Sequence, residues 1–341
     1  MAVAQLREAI VAGLEQTFPA KMGLEKLVFG NAMETTFDTE TIQVDKFEGT
    51  RGAAKYTARG AKGQTVGLEG WSTVSVTPPM IDENFVVTAQ DLKTRDYGKS
   101  NVNAPIGQKF QNIVNKQVLR LKDRKQRAYN ENQIVGLLTT GKVTIIEYDD
   151  KGTAKPTRYE DFLMPAAHIY TVGTAWNASG DIFGDMRAID ALIAKNSGLT
   201  TTDAIVGETT LADMMADTKI QALLDNRRIN FGEIAMEDKG NGLTYWGVLL
   251  GKRIWTFTEF DASGNPLIPT SAYMPFSNQA ETDIYYASID AMVDKIPTVV
   301  EGKEVIYNKA DDSAVAVKQG FKSAKLYALT QSAGFGHITT R

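Results

Sequence analysis

The feature that most constrains the fold is one long amphipathic stretch, residues 103–138, with the sequence NAPIGQKFQNIVNKQVLRLKDRKQRAYNENQIVGLL. Its apolar residues recur at spacings of three and four, which predicts a helix with one apolar stripe. The stripe consists of Ile106, Phe110, Ile113, Val114, Val118 (or Gln117), Leu121 and Ala128. At about 1.5 Å per residue, such a helix spans on the order of 45–50 Å. Most helices in a compact domain are shorter.

The other faces of this helix are strongly basic, although the chain as a whole carries a net charge of −4. The basic residues are Lys109, Lys116, Arg120, Lys122, Arg124, Lys125 and Arg127, against Asp123 and Glu131. A solvated surface is one interpretation of this excess. A polyanion or an acidic neighbouring subunit is the other, and the composition alone leaves both open.

A second basic segment, residues 51–67 (RGAAKYTARGAKGQTVG), contains Arg51, Lys55, Arg59 and Lys62 and no acid. It precedes the strand pattern WSTVSV, in which Trp71 lies on one face and Val74 and Val76 lie on the other. We predict a long two-stranded ribbon with a glycine-rich tip, one face of which packs against something outside its own domain. A ribbon of this kind is marginal alone in water, so a neighbouring copy of the chain is the simplest candidate to hold the tip.

The remaining segments predict a mixed α+β protein rather than a doubly wound sheet, because helices and strands do not alternate regularly. A hairpin is expected around DDKGT (residues 149–153), and an amphipathic helix is expected to end at Gly198. The segment 202–228 predicts a buried strand followed by a helix capped by Thr209 or Thr210. At 341 residues, two domains are expected.

Composition argues against most catalytic chemistry. The chain has no cysteine and two histidines, His168 and His337, and the apolar surroundings of His168 predict a packed residue. GLLTTGKV (residues 136–143) approaches a phosphate-binding loop, but there the loop should follow a strand and open a helix. Here Gly136 ends a helix and Lys142 begins a strand. We therefore expect no enzyme activity, no cofactor and no metal site.

Targeting signals are also missing from the sequence. No apolar run approaches the roughly 18 residues that a membrane span requires. The first 18 residues read as a short amphipathic helix and lack the features of a signal peptide. We expect the protein to remain in the cytosol until it assembles, without a membrane partner.

The order of these elements resembles that of the major capsid proteins of tailed bacteriophages with the HK97 fold, in particular the lambda-type capsid family. The resemblance covers essentially the whole chain. It rests on LEKLVFGNAMETTFDTETIQVDKFEG before the ribbon, on TDAIVGETTLADMMADTKIQALLDNRR, and on the closing TQSAGF.

The resemblance implies an HK97-like α+β fold in four parts. These are an N-terminal arm (residues 1–48), an extended loop (49–79), a peripheral domain (80–177 with 318–341) built on a spine helix near 104–138, and an axial domain (178–317). The extended loop, with Arg51, Lys55, Arg59, Lys62 and Trp71, would contact another subunit. Lys116, Arg120, Lys122, Arg124, Lys125 and Arg127 would face packaged DNA.

The same resemblance implies the partners. Copies of the chain would form hexamers and pentamers of an icosahedral virion head assembled in the host cytoplasm, together with a portal and a decoration protein. A separate scaffold protein is expected, because the sequence shows no long helical extension at its start. One alternative stays open, an encapsulin-like nanocompartment shell of the same fold. A third hypothesis, a nucleotide-using enzyme built around residues 136–143, is disfavoured by the order of helix and strand given above.

Overall fold

The computed structural model describes residues 19–47, 71–93, 105–149, 151–225, 232–293, 296–311 and 315–341. The helices within these residues are α1 (Gly23–Phe29), α2 (Ala89–Lys93), α3 (Ile106–Tyr129), α4 (Val135–Thr140), α5 (Ile182–Ser197), α6 (Glu208–Ala216) and α7 (Thr218–Asp225). A π-helical turn (Asn130–Ile134) joins α3 to α4.

The strands of the described residues are β1 (Met33–Thr36), β2 (Ile42–Phe47), β3 (Trp71–Val76), β4 (Ile81–Thr88), β5 (Lys142–Ile145), β6 (Arg158–Asp161), β7 (Ile169–Thr171), β8 (Asp203–Val206), β9 (Gly232–Gly240), β10 (Leu243–Leu249), β11 (Lys252–Phe257), β12 (Ala272–Phe276), β13 (Asp283–Tyr286), β14 (Ile289–Val293), β15 (Ile296–Val300), β16 (Val305–Asp311), β17 (Ala316–Ser323), β18 (Lys325–Ala328) and β19 (His337–Thr339). They form a seven-stranded sheet in the order β7-β19-β12-β8-β11-β10-β9, and two three-stranded sheets, β1-β13-β18 and β16-β17-β4. The pairs β2-β3, β5-β6 and β14-β15 complete the strand pairing.

The predicted long helix is confirmed as one helical rod, residues 106–140, which we call the spine helix. The rod ends where Gly141 adopts the left-handed conformation (φ 70°) and donates its backbone N–H to the carbonyl of Leu137. Glycine takes this conformation without a steric penalty. Since Lys142 then opens β5, the helix-to-strand order that argued against a phosphate loop at residues 136–143 is confirmed.

Two apolar cores hold the elements together. One lies where α1 and the C-terminal half of the spine helix pack against β13 and β18, and it contains Leu24, Ile134, Leu137 and Tyr327, each fully buried. The other lies between α5 and the seven-stranded sheet. There Met186, Ile189 and Ile193 follow helical spacing, and the helix ends at Gly198 as predicted.

The predicted cap at Thr209 or Thr210 is wrong. Helix α6 begins at Glu208, directly after Gly207. A Cβ atom on Gly207 would lie 2.2 Å from the carbonyl oxygen of Pro269, so the turn is pressed against residues 269–270. Thr209 donates its hydroxyl to the carbonyl of Thr270 instead of capping the helix. The single helix predicted after this turn is also two, because the chain breaks at Asp217.

The predicted division into domains remains a prediction, and the sheet pairing cuts across it at several places. Strands β13 and β16, from the segment predicted as axial, share sheets with β18 and β4, from the segments predicted as peripheral. Strand β19 pairs with β12 and with β7. The end of the chain and residues 169–171 therefore belong to the same sheet as β8 and β11, rather than to the sheets beside the spine helix.

Candidate assembly surfaces

The six basic residues predicted to face DNA do not share one surface. Lys116, Arg120, Arg124 and Arg127 are spaced at i, i+4, i+8 and i+11, which places them along one stripe of α3. The side chain of Lys122, which is exposed, lies on another side of the helix. The structure thus places four of the six basic residues along one stripe of the helix.

Arg124 and Lys125 are engaged within the chain. The guanidinium of Arg124 binds Glu83 of β4 through two nitrogens, with Nη2 2.8 Å from Oε1, and this raises the pKa of Arg124 above its usual value. The ammonium of Lys125 pairs with Glu304 and lies 4.8 Å from the ring centroid of Phe321. These two side chains fasten the spine helix to the sheet β16-β17-β4.

The ribbon β2-β3 is confirmed, with Ile42 opposite Val76 at its base and Phe47 opposite Trp71 at its far end. At the base, Ile42 and Val76 are 2% and 1% exposed and belong to the core of this chain. The prediction placed one face of the ribbon against something outside its domain, but the Val76 side packs internally. Arg51, Lys55, Arg59 and Lys62 lie outside the described residues. Trp71 is placed only by its backbone pairing.

The N-terminal arm is attached to the spine helix by polar contacts from its first described residues. Ala20 donates its N–H to Asp123 of α3, and Lys21 donates its N–H to Glu259. The side-chain amide of Asn130 donates to the carbonyl of Lys21 and to Glu259, the latter at 2.6 Å. Burial raises the pKa of Glu259, although these donors and the charges of Arg127 and Lys21 oppose the shift.

A buried ion pair deepens this attachment. Glu25 of α1 accepts a hydrogen bond from the ammonium of Lys325 in β18 at 2.8 Å, and another from Gln126 of α3 at 2.8 Å. The same ammonium lies 4.3 Å from the ring centroid of Tyr327, 5.4 Å from that of Tyr129 and 5.9 Å from that of Tyr286. Sequence reasoning missed this cluster, because its members are up to 300 residues apart and follow no spacing rule.

The pKa values of this cluster reflect burial and charge together. Burial alone would raise the pKa of Glu25, but the charge and hydrogen bond of Lys325, with the hydrogen bond from Gln126, hold it below 4.5. Burial lowers the pKa of Lys325, helped by Lys125 and Lys303 and opposed by Glu25. Burial raises the pKa of Tyr286 to about 12, so its hydroxyl is neutral at physiological pH.

The histidine in the apolar stretch is packed, as predicted. His168 is fully buried; its Nδ1 lies 2.8 Å from the carbonyl oxygen of Phe335, and its Nε2 lies 2.8 Å from the amide nitrogen of Asn196. With Nδ1–H as donor and Nε2 as acceptor, both ring nitrogens are satisfied. Over the described ranges, no group of three or more His, Asp or Glu side chains could hold a metal ion. No described helix is long and apolar enough to cross a membrane.

Comparison with known proteins gives a consistent result. The sequence model of the family described as phage major capsid protein E matches residues 8–313. No curated protein matches the chain.

Among solved structures, a putative capsid protein of a prophage of E. coli CFT073 is similar with a TM-score of 0.65 and 12% identity, covering 94% of each chain. The mature capsid of bacteriophage PhiM1 is similar with a TM-score of 0.56 and 10% identity, covering 96% of this chain and 89% of the other. The SrpI encapsulin of Synechococcus elongatus PCC 7942 is similar with a TM-score of 0.49 and 6% identity, a likeness too weak to bear on function.

At these identities the solved structures show the fold alone, and that fold is the HK97-type capsid fold predicted from the order of elements. The family match covers the arm, the ribbon, the spine helix and most of both cores. The chain belongs to the phage major capsid protein E family.

Proposed function

We propose that copies of this major capsid protein assemble as hexamers and pentamers into the icosahedral head that encloses the double-stranded DNA of a tailed phage. The observation that carries the proposal is the family match over residues 8–313, on a fold organised around one spine helix. The role is structural rather than enzymatic, and the protein is a component of the virion.

Shell formation requires many modest contacts repeated by symmetry, so that their combined strength exceeds that of any one interface. The extended loop is suited to such contacts. Arg51, Lys55, Arg59 and Lys62, with Trp71 at the end of the ribbon, are proposed to meet a neighbouring subunit. A variant lacking residues 51–67 should remain folded and soluble but should not form closed shells, which sedimentation and electron microscopy would show.

We propose that the basic residues of α3 lie on the inner face of the shell and contact the packaged DNA. The stripe formed by Lys116, Arg120 and Arg127 and the exposed Lys122 are offered to phosphate groups without sequence preference. Arg124 and Lys125 pair with Glu83 and Glu304 of the same chain, so their contact with phosphate would require these ion pairs to open. Binding of the assembled shell protein to duplex DNA should weaken steeply with added salt. The charge-reversing substitution Lys122→Glu should reduce that salt dependence.

The partners and the place of assembly belong to the same proposal. A separate scaffold protein, a portal and a decoration protein would act with the shell, and assembly would take place in the host cytoplasm. Negative-stain electron microscopy beside sedimentation of the purified protein, with and without scaffold, tests this directly. Uniform icosahedral shells support the proposal, and the absence of shells in both conditions contradicts it.

The contents of shells recovered from cells separate the two shell functions. Double-stranded DNA inside the particle is the result expected for a phage head. A protein cargo in place of DNA would assign the shell to a nanocompartment instead.

A further inference from the structure

The sheet β16-β17-β4 has two faces with different surroundings. One face packs against the spine helix, and Phe321 and Val87 on this face are each 4% exposed. Side chains of a strand alternate between the two faces of its sheet. The opposite face, which we call the open face, is directed away from the spine helix and carries Asp82, Val86, Tyr307, Lys309, Lys318 and Lys322.

Two lysines lie side by side on the open face. Lys309 of β16 is directly opposite Lys318 of β17, and Val86 of β4 continues the same row. Like charges directly opposite each other in a sheet are destabilising. Both lysines are exposed, and no ion pair between described side chains involves either of them. The row therefore carries a positive charge that the described side chains of the subunit do not neutralise.

The remaining lysine of the open face is engaged within the chain. The ammonium of Lys322 lies 3.6 Å from the carboxylate of Asp82 and donates to the carbonyl of Asp290 at 2.9 Å. The hydroxyl of Tyr307 also donates to Asp82, at 2.7 Å. The unneutralised charge is thus confined to the other end of the face, where Lys309 and Lys318 lie.

Exposed apolar side chains accompany the two lysines. Val86, in the same row, is 51% exposed. Val315 is 67% exposed, and its carbonyl accepts the N–H of Ala89 just beyond the end of β4, so it lies at the same end of the sheet. On the other side of the row, a Cβ atom on Gly320 would lie 2.7 Å from the hydroxyl of Tyr307, so the tyrosine crosses the glycine and forms a low floor. A molecule that neutralises the lysines also contacts apolar surface.

We propose that the open face binds a separate acidic protein on the outside of the shell. Carboxylates of this partner neutralise Lys309 and Lys318, and an apolar side chain of the partner contacts Val86. A protein fits this surface better than a nucleic acid does. Nucleic-acid affinity comes from many phosphate contacts, whereas this row offers two ammonium groups between apolar side chains.

The inference rests on the proposed function and names a binding surface for one of its partners, the decoration protein. The proposed function places the spine helix toward the DNA. The open face is on the other side of the sheet and is therefore directed outward, where the DNA does not reach it. Subunits of a closed shell meet side by side, so an outward face is left for a different protein.

Zero-length cross-linking of heads recovered from cells tests the contact directly. A carbodiimide joins an amine to a carboxylate only when the two groups are in contact. Mass spectrometry should find Lys309 or Lys318 linked to a carboxylate of a protein other than this chain. The exposed pair Lys142–Asp161, at 2.8 Å, is the internal control that should be linked in every preparation.

A charge reversal then measures the contribution of the two lysines. The variant Lys309→Glu with Lys318→Glu is compared with Lys151→Glu with Lys195→Glu, which changes the net charge equally at two exposed lysines elsewhere. Both variants should form shells, which shows that they are folded. Heads of the first variant should retain at most about a tenth of the cross-linked protein, because attraction becomes repulsion at two contacts. Heads of the second should retain as much as the wild type.

Each other outcome overturns the inference in a recognisable way. Links from Lys309 or Lys318 to carboxylates of this same chain would show that a second copy covers the face. Linked Lys142–Asp161 without links at the two lysines would show that the face is free. Equal retention by both variants would show that the lysines do not hold the partner. Loss of shells in the first variant alone would place the face between subunits. All four outcomes leave the proposed function intact, whereas the absence of shells from the wild-type protein contradicts the proposed function and this inference together.

Discussion

Replacing one member of the Glu25–Lys325 pair should destabilise the subunit far more than replacing both. The side chains are 10% (Lys325) and 17% (Glu25) exposed, so the pair is largely withdrawn from water. In Lys325→Met, the carboxylate of Glu25 keeps only hydrogen bonds from neutral donors such as Gln126. Removing one partner of a buried pair typically costs about 3–5 kcal/mol. Because both side chains keep some solvent contact, we expect Lys325→Met to lower the free energy of unfolding by about 3 kcal/mol, the lower end of that range.

The double variant Glu25→Gln with Lys325→Met removes both charges and should cost about 1 kcal/mol relative to the wild type, because no charge is left buried without a partner. Glu25→Gln alone should also destabilise the subunit, since the ammonium of Lys325 then loses its anionic partner and keeps only neutral groups, the introduced amide oxygen and the three tyrosine rings. Denaturant unfolding of unassembled subunits measures all four free energies of unfolding, and the double-mutant cycle gives the coupling between the two residues.

The pH dependence gives a second measurement of the same pair. The pKa of Glu25 is lowered on folding, so its contribution to stability is present above about 4.5 and is lost as the pH falls through the lowered value. The double variant should therefore lose stability less steeply than the wild type below that pH. A coupling under about 0.5 kcal/mol, which is the accuracy of such cycles, together with identical acid limbs would refute the reasoning.

Three further substitutions test other contacts. Gly320→Ala should lower the free energy of unfolding by about 1–3 kcal/mol, because the new Cβ would lie 2.5 Å from the carbonyl oxygen of Glu83 and 2.7 Å from the hydroxyl of Tyr307. An unchanged melting temperature would contradict this prediction. Val315→Asn should raise stability by about 1 kcal/mol, because the exposed valine has a φ of 48°, which asparagine tolerates better; urea unfolding would measure the gain. Arg124→Ala should cost about 0.5–1 kcal/mol at low salt and less at high salt, since its pair with Glu83 is exposed.

Helices and strands whose apolar residues follow a regular local spacing were predictable from sequence. The spine helix follows from apolar residues spaced by three and four. Its end was predicted at Gly136, which is wrong: the helix continues through Gly136 to Thr140 and ends at Gly141, the glycine that adopts the left-handed conformation. The helix ending at Gly198 and the β5-β6 hairpin follow from similar local signals. In each case the residues that determine the element lie within it, so the pattern can be read without knowledge of the fold.

Features that depend on distant contacts were not predictable. Thr209 looked like a cap, but the carbonyl of Thr270, some 60 residues away, binds its hydroxyl. Arg124 and Lys125 looked like part of a uniform basic surface until Glu83 and Glu304 were placed beside them. A count of charges along a helix cannot show which of them the fold neutralises. The folded chain is needed to tell the basic side chains that form ion pairs within the subunit from those that are exposed.

The π-helical turn of the spine helix has a mechanical consequence. Within it, the side-chain amide of Gln133 donates to the carbonyl of Lys325 and accepts the N–H of Tyr327. It thereby occupies the open side of β18, whose other side is bonded to β13, which in turn is bonded to β1. The hydrogen bonds of Gln133 therefore join the spine helix to this sheet, and β1 joins the sheet to the arm. We expect any displacement of the spine helix within an assembled shell to be transmitted through β18 and β13 to the arm.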